Sequence, residues 1–147
     1  MTEQTALLRY VEAQAKTYAV ALQELQAGRK RSHWMWFIFP QLRGLGKSDM
    51  AYRYGVAGLE EAKAYLCHPV LGARLRECCA ALLAHKDRRI EDILGELDAR
   101  KLRSSMTLFA LASDDGGLFR AVLEAFFDGQ ADRRTIDMIE NNKGGKQ

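Results

Sequence analysis

With 147 residues, 48% of them hydrophobic and 28% charged, the chain has the balance of one globular domain with room for a proper core. Its net charge of +3, from 22 basic against 19 acidic residues, is too mild to require a nucleic-acid partner. No stretch is apolar enough to span a bilayer, and the polar N-terminus runs into an amphipathic pattern rather than a secretory signal, so a cytoplasmic protein is expected.

The first predicted element is a long helix over 2–27. Leu8, Val11, Ala15, Tyr18, Ala19, Leu22 and Leu25 recur at three- and four-residue steps and form one apolar stripe. Thr2 fits its N-cap and Gly28 its stop. Arg29, Lys30 and Arg31 follow as a solvated connector whose charge suits a helix C-terminus.

Residues 33–48, HWMWFIFPQLRGLGKS, are the chain's most unusual stretch and hold both tryptophans. Their first half is a short apolar run bounded by Pro40. Their second half turns polar, basic and glycine-rich. Phe37 and Phe39 read as core, whereas Trp34 and Trp36 divide between core and site because each indole N–H needs a partner. GLGKS lacks the full spacing of a phosphate-binding P-loop.

Ser48 or Asp49 then caps a short turn over 50–54, and a second helix runs over 59–66. Pro69 suits the first position of a helix over 69–85, with Leu71, Leu75, Cys78, Cys79, Leu82 and Leu83 inward. Ile90–Leu94 is a short helix ended by Gly95. Asp98 is expected to cap the next helix, with Leu102, Met106, Phe109 and Ala112 on its apolar side and Lys101, Ser104, Ser105 and Leu108 on another. A helix over 118–127 stops at Gly129, and Asp132 caps a last one ending near Glu140. The fold expected is all-α: a compact single-domain array of about seven helices over 1–140, with 141–147 a disordered tail.

Three cysteines, two of them adjacent, fit a reduced chain in which at least two thiols are buried. His68 and His85 lie near them in sequence, but no CxxC or HxxxH spacing appears. Neither a metal nor a cofactor is expected.

The segments HWMWFIFPQLRGLGKS, EAKAYLCHPVLGARLREC, DARKLRSSMTLFALA and FDGQADRRT together resemble a bacterial family known as a domain of unknown function and often labelled "calpastatin". The resemblance runs from Tyr10 to about Thr135 and implies a small α-helical cytoplasmic protein. The label itself implies nothing, because calpastatin is a disordered inhibitor and this chain is globular. More distantly, that family is similar to the NADAR family, associated with NAD and ADP-ribose, whose members cleave N-glycosidic bonds of ribose phosphates. That second similarity carries over no catalytic residue.

Chemistry of this kind needs rings to hold sugar and base, cations for phosphate, and a carboxylate to activate water or steady positive charge on the ribose. Trp34, Trp36, Tyr52 and Tyr54 are candidates to stack. Arg43, Lys47, Lys101 and Arg103, with the backbone of Gly44 and Gly46, are candidates for phosphate. Gln41, Ser48, Ser104 and Ser105 are polar groups that helix packing does not require. Asp98 or Asp49 is the candidate carboxylate, and His33 a second acid or base. Against these stand Asp98 as a cap, His33 as a satisfied core histidine, and a Ser–Lys pair at Lys101 and Ser105 that lacks the SxxK order. Residues 33–48 and the helix near Asp98 are expected to face each other across one cleft that takes a small nucleotide-like ligand. The rival class is a non-catalytic module that takes a partner helix or peptide. Single-stranded nucleic acid on the rings and cations ranks third.

Overall fold

The structure is a computed structural model that describes residues 3–114 and 116–144. Its longest element follows from the longest periodic segment. Helix α1, Glu3–Ala27, ends where Gly28 adopts φ 76, which lets the N–H groups of Gly28 and Arg29 return to the carbonyls of Leu25 and Glu24. Thr2, read as the N-cap, lies outside the described residues.

The buried face of α1 is rotated from the expected stripe. Leu7, Tyr10, Gln14, Ala21 and Leu25 are buried, while Leu8 is 51% exposed and Ala15 and Ala19 face outward. Specific polar partners decide this. The Tyr10 hydroxyl donates to the Tyr54 carbonyl at 2.8 Å, and Gln14 Nε2 to the Phe37 carbonyl at 2.7 Å. A hydropathy stripe gives no weight to such bonds, yet a satisfied Tyr or Gln is a good core residue.

Eight further helices follow among the described residues: α2 Met35–Ile38, α3 Asp49–Arg53, α4 Leu59–Cys67, α5 Leu71–Leu83, α6 Ile90–Leu94, α7 Glu96–Ala112, α8 Gly117–Phe127 and α9 Arg133–Gly144. The fold is all-α, and among the described residues there is one isolated parallel bridge, between Leu42 and Val56. Ser48 caps α3 by accepting from the Ala51 N–H, and Asp132 Oδ2 accepts from the Thr135 N–H and hydroxyl ahead of α9. Before α5, His68 acts as a cap. Its carbonyl accepts from Gly72, and its Nδ1 accepts from the N–H groups of Val70 and Leu71. Helix α9 continues to Gly144, into the stretch read as a tail, and 145–147 lie outside the described residues.

Asp98 is not a cap. Helix α7 begins a turn earlier, because Gly95 at φ 89 turns the chain and its carbonyl takes the Ala99 N–H. The polar side expected on α7 is also absent beyond its first turns. Residues 104–110 are all buried, with α7 packed against α4, α6, α8 and α9. Ser104 and Thr107 tolerate this because a helical hydroxyl can bond its own backbone, as they do to the carbonyls of Arg100 and Arg103.

The bridge closes residues 42–56 into an excursion, with Arg43 N–H bonded to the Val56 carbonyl and Val56 N–H to that of Gln41. Arg9 staples it to α1 by donating to the carbonyls of Arg53 and Gly55 while pairing with Glu61 at 3.0 Å. All three cysteines are free. Cys67 is exposed, and burial pushes the Cys78 thiol up to about 12 and the Cys79 thiol well above its ordinary value. Among the described residues, no helix is long and apolar enough to cross a membrane.

Candidate functional site

One wall of the site hangs on a single carboxylate. Glu24 accepts from the N–H groups of Arg31 and Ser32 at 2.8 and 3.0 Å, the Ser32 hydroxyl at 2.6 Å and Trp34 Nε1 at 2.9 Å. Burial pushes its pKa up, but these bonds outweigh burial and hold it at about 2, below the ordinary 4.5. Trp34 is therefore a core residue with its N–H satisfied. Lys30 is no solvated connector either. Its N–H bonds the Ile93 carbonyl, its Nζ lies 5.1 Å from the Trp34 ring, and the same Nζ pairs with Asp98 Oδ2 at 3.0 Å.

The opposite wall is the first half of α7. Leu97, Arg100, Lys101 and Ser104, spaced at i, i+3, i+4 and i+7, share one face. Asp98 sits beside them between two ammonium groups, with Lys101 Nζ at 3.6 Å from Oδ1. Lys101 Nζ also lies 5.7 Å from the ring of Trp36, which is partly buried. Two depressions open along this face. One, of about 390 Å³, takes in Lys30, His33, Trp36, Leu97, Asp98 and Lys101. The other, of about 480 Å³, has Gln41, Gly46, Lys47 and Ser48 on the excursion side, α7 opposite, and Asp132 and Arg134 at its end. A small void of about 10 Å³, the size of one water, adjoins Trp36, Phe39, Gln41, Tyr54 and Lys101.

The larger depression is strongly basic, with Lys47, Arg100, Lys101, Arg103 and Arg134 against Asp132 alone. Asp132 is engaged in capping α9, and Arg103 donates to the carbonyls of Gln130 and Ala131. Lys47, Arg100 and Arg134 neither hydrogen-bond nor ion-pair through their side chains with any described residue.

Residues 4–139 match the model of a family described as protein of unknown function, DUF1810. The chain belongs to this family. This DUF1810 chain is similar to the conserved hypothetical protein Rv1873 from Mycobacterium tuberculosis, known from a crystal structure. The identity is 53% over 91% of this chain and 96% of that one, and the TM-score is 0.89. A search of curated proteins finds no match.

In the DUF1810 chain the sequence candidates scatter. Trp36, Gln41, Gly46, Lys47, Ser48, Asp98, Lys101, Ser104 and His33 line the depressions. His33 is exposed, so it is not a core histidine. Tyr54 reaches only the small void, and its ring packs against Phe37 at 5.2 Å. Trp34, Arg43, Gly44 and Ser105 line none of them. The Arg43 guanidinium lies 4.7 Å from the Tyr52 ring, and its Nε donates to the Tyr52 carbonyl. Ser105 is sealed in the core with an unpartnered hydroxyl, while Lys101 turns to Asp98 and Trp36, so the two form no nucleophilic pair. Leu97, Arg100 and Arg134 are lining residues that the sequence does not single out, and Lys30 reads there only as one of a basic triplet. The helical spacing of 97, 100, 101 and 104 held a signal for Leu97 and Arg100, whereas Lys30 and Arg134 arrive through tertiary packing. Among the described residues no group of three or more His, Cys, Asp and Glu side chains is placed to hold a metal ion.

Proposed function

We propose that the cleft binds a nitrogenous base linked to a ribose phosphate or to ADP-ribose and hydrolyses the N-glycosidic bond, water adding to the anomeric carbon of the ribose as the base leaves. The observation that carries the reading is the convergence on one concavity of Lys47, Arg100 and Arg134, whose side chains have no hydrogen-bond or ion-pair partner among the described residues. Unpaired cations on concave backbone-rich surface are suited to phosphate oxygens. Trp36 offers a ring face beside them, and Gln41 and Ser104 offer hydrogen bonds to hydroxyls. Asp98 and His33 occupy the adjoining depression, where a carboxylate steadies positive charge on the ribose and an acid or base serves the attacking water. The resemblance to the NADAR family read from the sequence alone agrees with this, and three free cysteines fit a reducing, cytoplasmic location.

Calorimetric titration and thermal unfolding with ribose, ribose 5-phosphate and ADP-ribose test the reading. The phosphates are expected to bind and raise the unfolding midpoint while ribose does not. Arg100→Ala is expected to shrink the shift. Absence of binding by every phosphate ligand overturns the proposal. A second reading, a module that takes an acidic peptide without chemistry, draws on Leu97, 64% exposed at the margin of both depressions. Binding of an acidic peptide, with base-linked ribose phosphates bound but never hydrolysed, favours that alternative.

A further inference from the structure

Lys101 lines both depressions and the small void, and it has two claims on its charge. On one side stands Asp98, whose Oδ1 it meets at 3.6 Å. On the other lies the basic depression with its unpartnered cations. Asp98 has a second and closer partner in Lys30, at 3.0 Å. Lys30 is not free to leave. Its side chain is only 10% exposed, it lies over Trp34, and its backbone N–H is bonded to Ile93. Lys101 is the looser of the two, at 24% exposure on a flexible stem.

We propose that Lys101 is an exchange residue. An anion entering the basic depression draws the Lys101 ammonium from Asp98 and from the face of Trp36. Asp98 keeps Lys30, and its Oδ1 is released to accept a hydrogen bond from a hydroxyl or water in the neighbouring depression. Occupancy by the charged part of a ligand therefore exposes the carboxylate to the uncharged part. The ligand class this selects carries a multiply charged anion and a hydroxyl group on one small molecule. The inference rests on the anion-binding reading above and adds to it a coupling between the two depressions.

The test uses inorganic pyrophosphate, which has an anion and no ring, titrated calorimetrically into the full chain. Asp98→Asn removes the competitor for Lys101 and is expected to tighten pyrophosphate about three- to tenfold, the range of a modest ion pair. Loss of a nearby negative charge would also tighten binding in a general way, so the same substitution is made in a Lys101→Met background. There the gain is expected to fall below about twofold, because coupled residues fail to add. Equal gains in both backgrounds, or no gain in Asp98→Asn, overturn the exchange while pyrophosphate binding by the wild type leaves the proposed function standing. Binding only by Asp98→Asn supports the exchange in its strongest form, and binding by neither chain sinks both proposals. Should Asp98→Asn fail to fold, tryptophan emission of the wild type decides. Saturating pyrophosphate is expected to change it as the ammonium leaves Trp36, with the change lost in Trp36→Phe and in Lys101→Met. Unchanged emission at saturation overturns the exchange.

Discussion

Residues 28–34 and residues 41–48 come from similar sequence, basic and bordered by aromatic rings, and they end in opposite states. In the first, Arg31, Ser32 and Trp34 give their donors to Glu24, and Lys30 is held by Asp98. In the second, the side chains of Gln41 and Lys47 line a concavity and have no hydrogen-bond or ion-pair partner among the described residues. The difference teaches how to separate framework from site. A polar residue near apolar sequence is framework when the fold supplies its partner, and a site candidate when the fold brings several such residues together and supplies none.

The sharpest way to break this comparison is to truncate the two tryptophans. Trp34→Ala is expected to cost about 3–5 kcal/mol in denaturant unfolding, as a fully enclosed ring does, and Trp36→Ala less than about 1.5 kcal/mol. Equal costs would erase the distinction between the two regions. Next in size, Glu24→Gln leaves several donors competing for one carbonyl and is expected to cost roughly 2 kcal/mol. The same residue gives a pH dependence. Its folded pKa lies at about 2 against an ordinary 4.5, so its stabilisation is complete above about 4.5 and is lost as pH falls towards 2. Acid titration of unfolding midpoints should show a shallower fall in Glu24→Gln than in the wild type.

On the open side, Arg100→Ala is expected to weaken pyrophosphate about tenfold, against less than twofold for Arg43→Ala, whose guanidinium is turned to Tyr52. Calorimetry on both variants checks this, and equal losses would return Arg43 to the site. The smallest effect is kinetic. A disulfide reagent under native conditions should label Cys67 rapidly and Cys78 and Cys79 only slowly, since both are buried with raised pKa values.

The sequence made the helices legible wherever a cap or a glycine marked a boundary. Gly28, Ser48, Gly95 and Asp132 all act as local punctuation, and local geometry is what a short sequence window encodes. The rotated face of α1 was not legible, because the partners of Tyr10 and Gln14 lie in residues 37–65 and are brought there by the fold. The two-sided burial of α7 was hidden for a related reason. Ser104 and Thr107 read as polar groups, yet small hydroxyls fit a crowded interior when bonded to their own helix. In the candidate site, helical spacing grouped Lys101 with Ser104. Spacing carried no information on Lys30 or Arg134, which belong to distant elements.

The burial of residues 104–110 on every side of α7 also sets a timescale. Amides of residues 104–110 lie in the longest fully buried run of the described residues, so their hydrogen exchange should require global unfolding. Residues 44–50, held by one bridge and a capped turn, should exchange through local opening many orders of magnitude faster. A ligand between them would thus meet one wall that is static over its residence and another that reshapes around it. Protection gained on binding should accordingly appear in 44–50 alone.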